Sequence, residues 1–245
     1  MKSNNIQMRD AFIGNLYERA NLDSNIILIS NEQGAVSLDQ LRQNLPQQFI
    51  NAGISEQNII SVAAGLALCG KNVFVYSIAS FITLRCYEQI KLDLCSMKVP
   101  VTIVGVGTCY SYSTDGPSHH ATEDISIMRA LPNMSIFNPA DTNTTAALVD
   151  IALQSQNPIY IRLDREKLPT LYRKNKINYS QGISTHYKGN DICIISTGLM
   201  VHRALEVADS LKSYSINAKV IDVFRLKPIN IGAIKVAIVK SKKII

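Results

Sequence analysis

The sequence predicts an α/β fold, a parallel sheet with helices on both faces. Two observations carry that prediction. Short apolar runs alternate with longer segments of helical periodicity, and each run is followed by a polar or glycine-containing segment. Apolar residues make up 47% of the 245-residue chain and charged residues 18%, enough to build one large core and too apolar for a disordered chain. Strand–helix alternation of this kind implies parallel strands whose ligand site lies at their carboxyl ends.

Taken in order, residues 25–30 (NIILIS) read as a buried parallel strand. Residues 58–69 place Ala, Leu and Ile at helical spacing, with Ser55 as N-cap and Gly70 as C-cap. Residues 72–76 (NVFVY) form a strand and residues 81–95 an amphipathic helix. A further strand covers residues 99–106, with Pro100 at its start, where a missing donor costs least. Residues 135–137 and 158–163 (PIYIRL) are strands flanking a helix over 142–154. A polar, basic stretch from about residue 166 to 188 interrupts the alternation and reads as a linker. Strand, helix and strand resume at 191–196, 202–213 and 218–223, too short a run for an independent domain of this class. The expected division is a first domain over 1–170, a linker over 171–188 and a partial second domain over 189–245.

Several function classes are disfavoured. The apolar stretches at 59–69 and 99–106 are too short to span a bilayer, and the N-terminal MKSNNIQMRDAF lacks the apolar core of a signal peptide. A soluble, cytoplasmic protein is expected. The five cysteines (Cys69, Cys86, Cys95, Cys109 and Cys193) contain no CxxC pair and read as buried free thiols rather than metal ligands. The formal charge of +6 is concentrated in Arg173-Lys174-Asn175-Lys176 and Lys240-Ser241-Lys242-Lys243. No zinc-finger spacing or aromatic RNA-binding signature accompanies these runs, so they read as solvated linker and tail, and no nucleic-acid partner is expected.

Four post-strand segments carry the chemistry: Gly53-Ile54-Ser55-Glu56-Gln57-Asn58, Ser80-Phe81 through Tyr87-Glu88-Gln89, Asp115-Gly116-Pro117-Ser118-His119-His120, and Asn138-Pro139-Ala140-Asp141. Glu56 stands in a first helical turn, where its charge is favoured. Phe81, Leu84 and Tyr87 recur at helical spacing and should share one face. His119 and His120 are two of the chain's four histidines, the residue type suited to proton transfer near neutral pH. In this order and spacing the four segments resemble the pyrimidine-binding domain of transketolases and deoxyxylulose phosphate synthases. The resemblance covers roughly residues 6–170 and continues into Ile221-Asp222-Val223-Phe224-Arg225-Leu226-Lys227-Pro228, similar to the start of the family's C-terminal domain.

The resemblance implies thiamine diphosphate as cofactor. Glu56 would bond a ring nitrogen of its aminopyrimidine and ready it to remove the thiazolium proton. Phe81 would stack on that ring, with Leu84 and Tyr87 lining the pocket and Glu32 approaching the thiazolium side from a partner-facing loop. His119 would contact substrate hydroxyls and the developing alkoxide, and Asp115 would read a hydroxyl. His120 replaces the glutamine usual in the family. Arg9 and Arg165 match phosphate-binding arginines, Arg162 lies nearby but could simply end a strand, and Gly107 and Thr108 stand where relatives carry a basic phosphate contact. The acceptor site is therefore expected to differ from that for a standard sugar phosphate.

The family's GDG metal motif is absent, and with it the diphosphate-binding domain. The resemblance thus implies a separate diphosphate-domain subunit that holds the diphosphate through Mg2+, in a homodimer core or a two-plus-two heterotetramer acting on small sugars. The second domain is expected to stop partway through its sheet at Ile245. The expected activity is two-carbon ketol transfer, dependent on that partner. The beta subunit of a 2-oxo-acid dehydrogenase, a deoxyxylulose-phosphate-synthase-like enzyme and a noncatalytic scaffold are the other readings.

Overall fold

A computed structural model describes residues 6–32, 34–173 and 177–245. Lys174 to Lys176 of the first basic run therefore lie outside the described residues. The chain opens with α1 (Met8–Ala20), β1 (Ile26–Ser30), α2 (Asp39–Asn44), β2 (Phe49–Asn51), α3 (Glu56–Leu68) and β3 (Asn72–Ile78). It continues through α4 (Ala79–Thr83), the short α5 (Tyr87–Gln89) running into a π-helical turn at Ile90–Ser96, and β4 (Val101–Val106). Next come α6 (Asp124–Ala130), β5 (Ser135–Phe137), α7 (Thr142–Leu153) and β6 (Ile159–Leu163). The C-terminal part holds β7 (Ser184–His186), β8 (Ile192–Ser196), α8 (Leu199–Lys212), β9 (Ala218–Asp222), β10 (Arg225–Lys227), α9 (Ile231–Ile238) and β11 (Lys243–Ile244).

Seven of the described strands form one sheet in the order β10-β5-β6-β4-β3-β1-β2. All neighbours are parallel except β10, which runs antiparallel to β5. Alternation along the strands feeds two cores. Phe74, Tyr76, Val104 and Val106 face α1 and α7, where Phe12, Ile13, Leu16, Leu148 and Val149 meet them. Val73, Val75, Val101 and Ile103 face the other way, against Ile59, Ile60 and Ala63 of α3 and against Ile90 and Leu94. A sheet buried on both faces requires nearly all-apolar strands, which is why β1 and β4 read as continuous apolar runs.

The structure departs from the sequence expectations in identifiable ways. The helix expected over 81–95 is broken: α4 already starts at Ala79 and ends at Thr83, whose Oγ1 donates to the Ala79 carbonyl at 2.7 Å, a contact that tends to bend helices. Ser55 occupies the N-cap position, but its hydroxyl donates to the Ala52 carbonyl at 2.6 Å rather than capping α3. Gly70, at φ +86°, does take the left-handed conformation that ends this helix. Cys86, Cys95 and Cys193 are buried free thiols as expected, whereas Cys69 and Cys109 are exposed.

The stretch read as a linker is partly structured. Its residues Ser184–His186 form β7, an antiparallel edge of a second sheet ordered β11-β8-β9-β7. The two sheets are laced together by the Asn138-Pro139-Ala140-Asp141 segment. The Asn138 backbone N–H donates to Phe224 O at 2.8 Å, and its Nδ2 donates to Thr197 Oγ1 at 3.1 Å. Asp141 caps α7 through Thr144 N and accepts from the N–H groups of Leu171 and Tyr172 with its second oxygen. No helix among the described residues is long and apolar enough to cross a membrane.

Behind this joint lies a buried polar chain. His186 Nε2 and Tyr172 Oη are 2.7 Å apart, and Tyr172 Oη donates to Asp222 Oδ2 at 2.7 Å. Burial pushes the Asp222 carboxyl up to about 7, against the Tyr172 hydrogen bond and with added repulsion from Asp141. The unfolded carboxyl titrates near about 4. Between these values the folded state keeps a proton that the unfolded chain has lost, so this group's contribution to stability falls as pH rises through the window and levels off above about 7. Burial also holds the His186 pKa down, which acts in the opposite sense but is common to wild type and variant. Asp222→Asn is therefore expected to gain several degrees in melting temperature on the wild type as pH rises from about 5 to about 8. A difference that is flat or shrinks with rising pH would contradict the assignment.

Candidate active site

The carboxyl ends of β1, β2, β3, β4 and β6 lie along one edge of the sheet, and the segments that leave them build the site. Local bonds fix each segment. Asn31 Nδ2 donates to Gly53 O at 3.1 Å, tying the end of β1 to the turn that starts α3. Ser80 Oγ donates to Ser118 O at 2.9 Å and joins the β3 exit to the histidine loop. That loop is pinned at its base by reciprocal backbone bonds between Cys109 and Ala121, of 2.9 and 3.0 Å. Thr108 is buried, its hydroxyl donating to Asp164 Oδ1 at 2.5 Å.

Contacts run continuously along this edge. Glu56, only 3% exposed at the start of α3, accepts from Arg85 Nη1 at 2.8 Å through Oε2, and Oε1 has no hydrogen-bond partner among the described residues. The Arg85 guanidinium carbon lies 4.5 Å from the centroid of the Phe81 ring. Phe81 meets the His119 ring edge-on at 4.8 Å. His119 in turn meets Tyr112 at 5.9 Å, and the Arg165 guanidinium lies 4.7 Å from the Tyr112 centroid. A carboxylate thus stands at one end, aromatic rings and an imidazole in the middle, and cations at the other.

Arg9, in the first turn of α1, reaches the cationic end. It pairs with Asp10 at 2.9 Å and lies close enough to the buried Tyr76 for each to shift the other's titration. Asp115 is exposed in the turn beside Tyr112, its N–H donating to Tyr112 O at 3.0 Å. His120 packs edge-on against Tyr110 at 5.0 Å, and its buried Nε2 has no hydrogen-bond partner. His119 Nδ1 lies 3.1 Å from Ser118 Oγ, a contact that orients the ring.

Other predicted residues stand apart from this string. Glu32 is exposed beyond β1. Leu84 is 43% exposed, and the Tyr87 hydroxyl donates to Ile127 O at 3.1 Å. Since α4 ends before Tyr87, Phe81, Leu84 and Tyr87 do not share one helical stripe. Arg162 is withdrawn altogether: only 4% exposed, it donates to Asp124 through Nε at 2.8 Å and Nη2 at 3.3 Å, while Tyr160 Oη donates to the same carboxylate at 2.7 Å. It is a core ion pair and not an anion ligand.

Arg85 and Tyr112 belong to the string but have no individual signal in the sequence. Arg85 reads there as one more polar position of an amphipathic helix. Gly107 is a glycine directly after a strand, but its positive φ calls for glycine by itself, so it does not single out Tyr112. Among the described residues no cluster of His, Cys, Asp or Glu could hold a metal ion. The residues present do fit the pyrimidine end of thiamine diphosphate: an open carboxylate oxygen beside an aromatic ring, both at the strand ends.

The family described as the transketolase pyrimidine binding domain matches residues 4–170, and the transketolase C-terminal domain matches residues 183–245. An apulose-4-phosphate transketolase subunit of Phocaeicola vulgatus is 34% identical over 247 residues, covering 100% of this chain and 79% of the relative. The 6-deoxy-6-sulfo-D-fructose transketolase subunit SqwH of a Clostridium species is 31% identical over 239 residues, covering 97% of this chain and 74% of the relative. A solved structure described as a split gene transketolase, an inactive beta4 tetramer, superposes with a TM-score of 0.89 at 32% identity, over 98% of this chain and 77% of that one. The transketolase of Campylobacter jejuni shares the fold, with a TM-score of 0.87 at 21% identity over 97% of this chain and 39% of that one.

Proposed function

The chain belongs to the transketolase family, and we propose that it is the pyrimidine-domain subunit of a split enzyme. In this reading it transfers a two-carbon ketol unit between sugars when paired with a separate diphosphate-domain subunit. The observation that carries the proposal is the string from Glu56 to Arg165, a cofactor end and a substrate end on one sheet edge. Two relatives carry names of transketolase subunits, and the substrates in those names hold a phosphate and a sulfo group. A sugar ending in a tetrahedral oxyanion is the substrate class proposed for this chain.

Thiamine diphosphate, when bound, supplies the electron sink for breaking and making the carbon–carbon bond. The partner would hold the diphosphate through Mg2+. The chain's own residues bind and position. Glu56 would hydrogen-bond a ring nitrogen of the aminopyrimidine through its carboxyl group, held in place by Arg85. Phe81 offers its ring for stacking, with Leu84 and Tyr87 bordering the pocket and Glu32 approaching from the partner side. His119, oriented by Ser118, moves a proton to and from the substrate oxygens, and Asp115 and His120 read neighbouring hydroxyls. Arg9 and Arg165 hold the anionic end.

A transfer assay with thiamine diphosphate and Mg2+ tests the proposal, run on the chain alone and mixed with a diphosphate-domain subunit. Turnover is expected only in the mixture. Robust turnover by the chain alone would overturn the split arrangement. A tight but inert pair would favour the scaffold reading, once 2-oxo acids with an acyl acceptor have also failed.

A further inference from the structure

We propose that Tyr112 determines specificity at the anionic end of the substrate site. Its ring takes the place of a side chain at position 107, and its hydroxyl donates to a tetrahedral oxyanion held by Arg9 and Arg165. The inference deepens the transfer reading and rests on it only for the turnover experiment below.

Gly107 leaves β4 at φ +83°, and a Cβ built there would stand 1.8 Å from Tyr112 Cε2 and 2.3 Å from Cδ2. The Tyr112 ring as placed and any side chain at 107 exclude each other, so the aromatic fills the space beside the strand end. The ring is held from several directions. Arg165 lies against it at 4.7 Å and His119 meets its edge at 5.9 Å. The loop turns tightly over it, with Asp115 N–H donating to Tyr112 O at 3.0 Å.

The charged groups that act on the phenol are Arg165, Arg9 and Asp115, and its own charge acts on Tyr76. Burial raises the Tyr112 pKa, while the two guanidinium groups act the other way, so at neutral pH the phenol keeps its proton and can donate it in a hydrogen bond. Asp10 already pairs with Arg9, whereas Arg165 has no carboxylate partner among the described residues. A free guanidinium, a half-satisfied one and a neutral donor suit the terminal oxyanion of a small sugar, phosphate or sulfonate alike.

The first test needs no turnover. The whole chain is titrated with inorganic phosphate, and separately with methanesulfonate, against chloride at matched ionic strength, with thermal unfolding as the readout. Both anions are expected to raise the melting temperature of the wild type, and Arg165→Gln is expected to lose the effect. Tyr112→Phe keeps the ring and its packing; its melting temperature in chloride should match the wild type, while the half-saturating anion concentration rises about tenfold. Equal anion dependence in Tyr112→Phe and wild type overturns the proposal. Stabilisation by phosphate alone overturns the shared oxyanion chemistry.

The second test uses the assembled pair. Tyr112→Phe should raise KM for ribose 5-phosphate about tenfold, with kcat within about twofold and KM for glyceraldehyde unchanged. An equal rise for both aldehydes would mark a structural role and sink the inference. Should the pair never turn over while Tyr112→Phe still weakens anion binding, the transfer reading fails and the assignment of Tyr112 stands.

Discussion

Replacing Glu56 with alanine should lower two-carbon transfer by the assembled enzyme about a thousandfold and leave the fold intact. The loss is set by chemistry: one positioned carboxylate in a proton-transfer network contributes about 10²- to 10⁴-fold. Glu56 lies at the start of α3, where its charge is favoured, and its Oε2 partner is Arg85. The Arg85 side chain is 45% exposed, so removing the carboxylate leaves a cation that water can reach. The destabilisation of leaving a charge buried and alone does not arise. The variant should therefore keep its melting temperature to within a few degrees and still bind the partner. Glu56→Gln should lose nearly as much activity, because an amide keeps the shape but not the charge. Steady-state kinetics beside thermal unfolding and an association measurement separates these outcomes. A Glu56→Ala complex with near-normal kcat would remove the residue from the mechanism.

The largest effect on stability is expected at a residue pair outside that mechanism. Asp124 is 1% exposed and accepts from Arg162 and from Tyr160 Oη. Asp124→Ala strands a guanidinium and a hydroxyl in the core, a change that typically costs about 3–5 kcal/mol. In a chain of this size that corresponds to a fall in melting temperature of about 10 °C. Exchanging both charges, as in Asp124→Leu with Arg162→Met, should recover much of the loss, because desolvation offsets most of what the pair contributes. A thermal scan of the two variants suffices. A single variant that melts with the wild type would show that the pair is not the closed network described above.

Much of this architecture was readable because a sheet buried on both faces leaves a strong imprint. The apolar runs of β1, β3, β4 and β6 fall within a few residues of their expected limits, and the post-strand segments carrying Glu56, Phe81 and His119 converge on one edge. What stayed hidden is tertiary. Arg-Leu-Lys at 225–227 has no strand signature, yet it forms β10 because β5 offers it an open edge. The helix break after Thr83, where a hydroxyl bonds back to the Ala79 carbonyl, is not revealed by periodicity. The segment at 138–141 was expected among the chemistry-bearing ones; Asn138 bonds Thr197 beyond β8, and Asp141 ties down the chain at Leu171 and Tyr172. Arg162 shows the same limit: the sequence left it between an anion contact and a strand residue, and only the fold shows it buried against Asp124. Arg85 and Tyr112 gain meaning only from the neighbours that the fold brings to them.

In the proposed assembly this chain holds one end of a cofactor whose other end belongs to a partner. Equilibrium binding of thiamine diphosphate with Mg2+, measured on the chain alone and on the mixture with the diphosphate-domain subunit, puts that division to the test. Tight, Mg2+-dependent binding is predicted in the mixture, weakened by Phe81→Ala, with no tight binding to the chain alone. Tight binding by the isolated chain, or binding in the mixture that ignores the loss of the Phe81 ring, would contradict it.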